Sequence, residues 1–486
     1  MKSGSIAVSL FLLAAGLSSA SPANAPQSSA SQSTPSQSSW PSPPPGKPWE
    51  VFVPKEYNYC LAAAPEPKKY KPVQDAELSF VQLIVRHGDR TNLNLIPHDD
   101  TVWDACSHDL DTNVYTEPTK PFPGKTGVKV QQRIFAPHGP KSFAFVYKGG
   151  NCESGQLTDK GKEMHRDLGS RLRNIYVDEL NFLPKDFTVN SIYLRSTSTW
   201  RTKQSAQSLL GGLYPEGHWP SHSYIQLHTL PDLEENMKPN RKSCLYVNGL
   251  RSEIEKEKTW TDFLASQDAL WKKLYNITDL GVYPLFPDTD SWIGWMDMFE
   301  PRVCHNKPLP CTYNPETNKR DLQPCVTRED ADIALRNSFY SYIYPKRDSP
   351  NATNYTRLVT GSFLNDLSVE LKEISSGGSN NGTKCNASQH RFSLYSGHDD
   401  TVSSLLGAFK ADDKNMLWPP YRSNILVELW KKKNGKHIIR VIYNGKVLTL
   451  QPGHQWCNLE GCDLETFTNY LDSLVPQDLA KECRSM

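Results

Sequence analysis

Three stretches of this chain end in residues able to handle a doubly charged oxyanion. Arg86-His87-Gly88-Asp89-Arg90 follows the run Phe80 to Val85 (FVQLIV), Arg195 closes Ser191 to Leu194, and Gly397-His398-Asp399 follows Phe392 to Tyr395. An arginine fork contacts two oxygens of one phosphate. A neutral imidazole can attack phosphorus, and a carboxylic acid can protonate the departing oxygen. Three arginines, two histidines and one carboxylate thus supply phosphoryl transfer to water without a metal or other cofactor. A lone histidine or arginine at a strand end is an ordinary packed or solvated residue; the joint placement at three strand ends carries the weight. A metal-dependent phosphoesterase would instead use His87, Asp89, His398, Asp399 and Asp400 as ligands. A non-catalytic glycosylated binding protein is the third class to weigh.

The elements that must position these groups follow from hydrophobic patterning. FVQLIV is almost continuously apolar and stops abruptly, the profile of a strand buried on both faces. Ser191 to Leu194 and Phe392 to Tyr395 read the same way, and ligands of open α/β sheets bind beyond the strands' carboxyl ends. Met164, Leu168, Leu172 and Ile175 recur at helical spacing after the N-cap candidate Thr158; Val402, Leu405 and Leu406 follow Thr401. These alternating strands and helices predict an α/β three-layer sandwich with a mixed, mostly parallel sheet. Ile425 to Trp430, His437 to Tyr443 and Val447 to Leu450 are joined by Asn434-Gly435 and Asn444-Gly445, which predicts an antiparallel hairpin edge. From 214 to 330 the strand signal gives way to Trp-rich, charged sequence, read as a mainly helical cap inserted between core parts 57–213 and 331–486.

Composition bounds the setting. Across 486 residues, 54 Lys and Arg balance 53 Asp and Glu, which excludes nucleic acid or an anionic membrane as an electrostatic partner. Lys2 and the apolar run Ile6 to Leu17 form a signal peptide over 1–20, too short to span a bilayer. Residues 21–56 begin in Ser, Pro, Ala and Gln and are expected to form a flexible stem. The 11 cysteines all follow the signal, so disulfides with one cysteine left over are expected, and Cys304/Cys311 and Cys457/Cys462 are near enough to close small loops. Asn276, Asn351, Asn354, Asn381 and Asn386 are candidate N-glycan acceptors. Together these features predict secretory routing, to the exterior, the cell wall or a vacuole or lysosome.

The segments LIVRHGDRT (83–91), GQLTDKG (155–161), LRSTSTWRT (194–202) and YSGHDDT (395–401) resemble the successive signatures of the histidine acid phosphatases. The likeness runs from about residue 76 to the end, and the CESGQLT stretch and the insertion 99–153 look closest to 2-phosphoxylose phosphatase-like members. It implies a phosphate monoester as substrate, His87 as the nucleophile, Asp399 as the proton donor, and Arg86, Arg90, Arg195 and His398 as phosphate ligands. Phytase or sugar-phosphate activity is the alternative within the same family, with Trp103, Trp200 and cap aromatics as candidate sugar-stacking groups. Two positions depart from the pattern. Asn92 replaces a proline, and Asp400 replaces a threonine, where its carboxylate is expected to cap the following helix rather than couple to Asp399.

Overall fold

The computed structural model describes residues 47–51, 53–107, 150–188, 191–220, 225–280, 292–377 and 390–484. The expected signal peptide, residues 21–46 of the stem, and the sequons at Asn381 and Asn386 lie outside the described residues. The end of the stem differs from expectation, because Val51 and Val53 pack on the core and Trp49 lies against Phe263. These three apolar side chains bury surface that a solvated stem would leave in water.

In chain order the elements are β1 (Ala76–Arg86), α1 (Asp159–Arg173), β2 (Ile192–Ser196), α2 (Trp200–Leu213), β3 (Leu227–His228), α3 (Leu245–Ile254), α4 (Lys258–Thr278) and α5 (Ile293–Cys304). They continue with β4 (Cys311–Asn314), β5 (Lys319–Cys325), α6 (Arg328–Ile343), α7 (Ala352–Ser375), β6 (Phe392–Gly397), α8 (Asp399–Phe409), β7 (Asn424–Lys432) and β8 (His437–Tyr443). Short strands β9 (Lys446–Val447) and β10 (Cys462–Asp463) and helices α9 (Leu464–Ser473) and α10 (Leu479–Glu482) close the chain. The main sheet has the order β10-β8-β7-β1-β6-β2-β3, with β9 on β8. It is mixed: β1, β6, β2 and β3 run parallel, whereas β7 joins β1 antiparallel and begins the hairpin edge. The turn at Asn444-Gly445 has both residues at positive φ, as a type I′ hairpin requires.

Strand β1 sits mid-sheet and is buried on both faces. Phe80 and Ile84 enter one apolar cluster with α6, α7 and α8, while Val81, Leu83 and Val85 enter another with α1 and α2. This is the three-layer arrangement that a continuous apolar strand dictates. Helix α1 starts where Thr158 Oγ1 accepts from the Gly161 N–H, and its first turn lies directly against the loop after β1. A Cβ on Gly88 would fall 2.3 Å from the Gly161 carbonyl oxygen, and one on Gly161 would fall 2.3 Å from that of Asp89. Only glycine permits both approaches.

Between 214 and 330 the described residues form β3, which pairs with β2 at the edge of the main sheet, so the expected boundary at 214 falls before the last core strand of this stretch; then come α3, α4, α5 and the β4-β5 pair, and α3 to α5 share an apolar cluster with α6 and α7. Five disulfides join Cys60–Cys304, Cys106–Cys152, Cys244–Cys483, Cys311–Cys325 and Cys457–Cys462. Cys304 and Cys311 therefore do not pair with each other: Cys304 ends α5 and ties it to the chain before β1, and Cys311 closes the β4-β5 pair. The remaining cysteine, Cys385, lies outside the described residues. None of the described helices is long and apolar enough to cross a membrane.

Gly161→Ala is expected to destabilise the protein by about 1–3 kcal/mol, because the added methyl meets backbone that cannot move aside. Chemical denaturation checks this; an unchanged midpoint would mean that the α1 contact is not tight.

Candidate active site

The parallel strands β1, β6 and β2 are adjacent and end level, with Arg86 opposite Gly397 and Ser196 opposite Ser396. The residues that follow each strand therefore meet at one edge. The His87 N–H donates to the Gly397 carbonyl at 3.0 Å, and the His87 and His398 rings stand edge to face with centroids 5.7 Å apart. His87 Nδ1 lies 2.8 Å from the Gly88 carbonyl oxygen. A carbonyl can only accept, so Nδ1 carries the proton and Nε2 keeps its lone pair. Burial, then Arg201, Arg86 and Arg90, hold the His87 pKa well below the usual imidazole range. The ring is neutral at mildly acidic pH. Burial and Arg201 depress His398 in the same way, and its Nε2 shares a 3.0 Å hydrogen bond with Thr197 Oγ1.

Arg86 has no exposed surface and is met by two carboxylates, Asp399 Oδ2 at 3.0 Å from Nη2 and Glu300 Oε1 at 3.5 Å from Nη1. Its Nη1 also donates to the Pro419 carbonyl at 2.7 Å. Asp399 accepts from Tyr342 Oη at 3.1 Å and from the Asp400 N–H at 2.8 Å. Burial alone would raise its pKa, but Arg86, Arg90 and His398 outweigh burial and hold it at about 2. Arg90 pairs with Asp297 at 2.6 Å. Asp297 and Glu300 stand one turn apart on α5, so this cap helix supplies a counter-charge to each arginine of the RHGDR segment.

Arg195 does not join this group. Its Nη1 pairs with Asp366 at 2.9 Å, its Nη2 with Glu235 at 3.2 Å, and Nη2 donates to Asn236 Oδ1. Two carboxylates already satisfy it, which corrects the expectation that it faces a phosphate. Arg201, six residues later at the start of α2, acts on the two histidine rings instead. It is the largest charge acting on both histidine rings, and burial and the neighbouring Arg90 hold its own pKa down to about 10. Its Nε has no partner among the described residues. Arg201 lay within LRSTSTWRT, but β2 ends near Arg195, and only the turn into α2 carries the second arginine to the site.

The five groups of the metal-site alternative do not converge. Asp89 turns away to Thr158 Oγ1 and His305 Nε2, and Asp400 pairs with Lys346 at 3.1 Å. Asp400, at the start of α8, is therefore paired with buried Lys346 from the turn after α6 instead of capping the helix, whose N-terminal cap is made by His398 and Thr401. Trp103 is wholly buried beside the Cys106–Cys152 bridge and has no face for a sugar; Trp200, beside Arg201, is 59% exposed.

Known proteins resemble this chain in sequence and in fold. The model of the histidine phosphatase superfamily (branch 2) matches residues 77–444. The chain belongs to that family. It is 28% identical to counting factor 60 of Dictyostelium discoideum, covering 87% of this chain and 92% of that protein, and 28% identical to rat prostatic acid phosphatase, covering 85% and 90%. Human 2-phosphoxylose phosphatase 1 is 24% identical over 81% of this chain and 77% of its own. In fold it is similar to Hafnia alvei phytase in complex with myo-inositol hexakis sulphate, with a TM-score of 0.52 at 13% identity, over 85% of this chain and 100% of that one.

Within the histidine phosphatase superfamily the residue at Asn92 now has a physical account. Pro301 lies inside α5 and has no N–H to give the carbonyl of Asp297, four residues earlier. Asn92 Nδ2 donates to that carbonyl at 2.9 Å and to the Met298 carbonyl at 2.7 Å. The Asp297 carboxylate in turn accepts from the Leu93 and Asn94 N–H groups. The loop after the RHGDR segment is thereby fastened to α5.

Arg201→Ala is expected to weaken competitive inhibition by inorganic phosphate about 10- to 100-fold, the loss of a charge-assisted contact. Arg195→Ala is expected to change that constant far less and to lower the melting temperature instead. Inhibition constants for the two variants check this; the reverse order would return Arg195 to the pocket.

Proposed function

We propose that the protein is a secreted phosphomonoesterase of acidic optimum, working through a phosphohistidine at His87. The observation that carries this is a neutral, tautomer-fixed imidazole among Arg86, Arg90 and Arg201 at the carboxyl ends of three parallel strands. The guanidinium groups and His398 bind the phosphoryl oxygens, where charge accumulates in the transition state. His87 Nε2 attacks phosphorus as the bond to the leaving oxygen breaks, and Asp399 gives that oxygen a proton. Water then gives a proton to Asp399 and attacks phosphorus, the N–P bond breaks, and inorganic phosphate leaves.

Asp399 in the free protein is ionised down to about pH 2, so its proton must arrive with the substrate. A phosphate monoester has a second pKa of about 6 and is largely a monoanion in acid. Its negative charge offsets the arginines that depress Asp399, so the bound carboxyl can hold the proton and deliver it.

Sugar-phosphate activity is the narrower reading within the family; of the candidate stacking groups, Trp200 at the start of α2 is exposed, with Lys203 Nζ 5.3 Å over its ring. The five disulfides fit secretory routing. Asn276 and Asn354 are exposed acceptors for N-glycans, and Asn351 is half-buried with its Nδ2 3.2 Å from Glu257.

Asp399→Asn separates proton donor from nucleophile. It keeps the side chain's shape but cannot protonate an alkoxide, so alkyl phosphates should slow about 10²- to 10⁴-fold and activated aryl phosphates much less. A rise in the aryl-to-alkyl rate ratio is expected; an equal fall for both classes, with phosphoryl transfer rate-limiting, would remove Asp399 as the acid.

A further inference from the structure

Glu300 is a carboxyl group that the proposed chemistry does not use, yet it is 1% exposed and directed at the guanidinium that holds Asp399. Its Oε1 accepts no hydrogen bond among the described residues, and Arg86 Nη1 stands off at 3.5 Å while donating to Pro419 instead. A buried carboxylate oxygen without a donor is costly, and protonation lowers that cost by removing the charge. Charge balance adds a second consideration. Arg86, Arg90 and Arg201 face Asp399, Asp297 and Glu300, so ionised Glu300 brings the cluster to zero, and neutral Glu300 leaves one positive charge for an incoming phosphate.

We infer that Glu300 is a positioning residue whose protonation frees Arg86 for Asp399 and the phosphoryl group, and whose ionisation shuts the site down as pH rises. This rests on the proposed phosphatase function and adds a second ionisation to the substrate's own as a cause of its acidic range. The groups facing Glu300 are compatible with that role. From β1 and the loop after it come Arg86 and Arg90, and from α8 comes Asp399. Tyr57 and Tyr59 face it from the segment before β1 and Tyr421 from the loop before β7, all phenols pushed up by burial and so neutral. On α6, Arg328 and Asp332 pair with each other at 2.9 Å. On α5 itself, Asp297 is held by Arg90 and Arg302 by Asp99.

Burial, opposed by Arg86 and Arg90, moves the Glu300 pKa up to about 7. The sign follows directly: the carboxyl is neutral below about 7, where the arginines are available, and charged above it, where it competes with phosphate for Arg86. His87 and Asp399 titrate far below this range and do not account for a loss of activity near neutrality.

The test is kcat/KM against pH for the wild-type protein and Glu300→Gln on one substrate, with inorganic phosphate affinity measured by calorimetry at about pH 5 and about pH 8. The substrate's own ionisation is common to both proteins and cancels in the comparison. The wild type's alkaline limb is expected to carry two ionisations, the substrate's and a second at about 7, and to shift to a single, shallower one in the variant, whose phosphate affinity at the higher pH should exceed the wild type's about tenfold. Superimposed alkaline limbs and equal phosphate affinities would overturn the inference. Should Glu300→Gln fail to fold, Glu300→Asp withdraws the carboxyl from Arg86 and must also shift the limb; an unshifted limb overturns the inference equally. A wild-type protein with no phosphomonoesterase activity at any pH would instead contradict the proposed function itself.

Discussion

A guanidinium group without exposed surface ends the central strand, and the rest of the site is arranged around it. Taking such a charge out of water costs several kcal/mol unless counter-charges and hydrogen bonds replace the solvent. Arg86 receives Asp399 from the start of α8, Glu300 from α5, the Pro419 carbonyl from the loop before β7, and the face of Tyr421 at 4.3 Å. These partners come from three separate parts of the chain. Satisfying one buried arginine therefore fixes the relative placement of both strand ends and the cap helix.

Helix α5 is consequently tied to the segment that follows the central strand. Asp297 and Glu300 reach the two arginines of the RHGDR segment from one face of α5, and Pro301 leaves a carbonyl for Asn92 to bond. The Cys60–Cys304 bridge fastens the end of the same helix to the chain that leads into β1. A displacement of α5 would therefore change the counter-charge at both Arg86 and Arg90.

Much of this was legible in the sequence because it depends on local pattern. The FVQLIV run announced a strand buried on both faces, Asn444-Gly445 announced its hairpin, and Thr158 announced the start of α1. RHGDR and GHDD stood at strand ends where the sheet topology brings them together. What the sequence withheld depends on long-range pairing. Nothing near Arg195 indicates that Glu235 and Asp366 will neutralise it, which is why Arg201 and not Arg195 is left for the pocket. Asp297 and Glu300 sit in a helix with no motif of its own, and the partners of Cys304 and Cys311 follow from folded geometry rather than from spacing.

The most direct measurement is to mix wild-type protein with a phosphomonoester for milliseconds, quench in alkaline denaturant where an N–P bond survives, and locate the phosphate by peptide mass spectrometry. The expected result is one phosphate on the His87 ring, formed at a rate no slower than turnover and absent from His87→Ala. Turnover with no phosphate on His87, or with phosphate on another residue, would contradict the account at its centre.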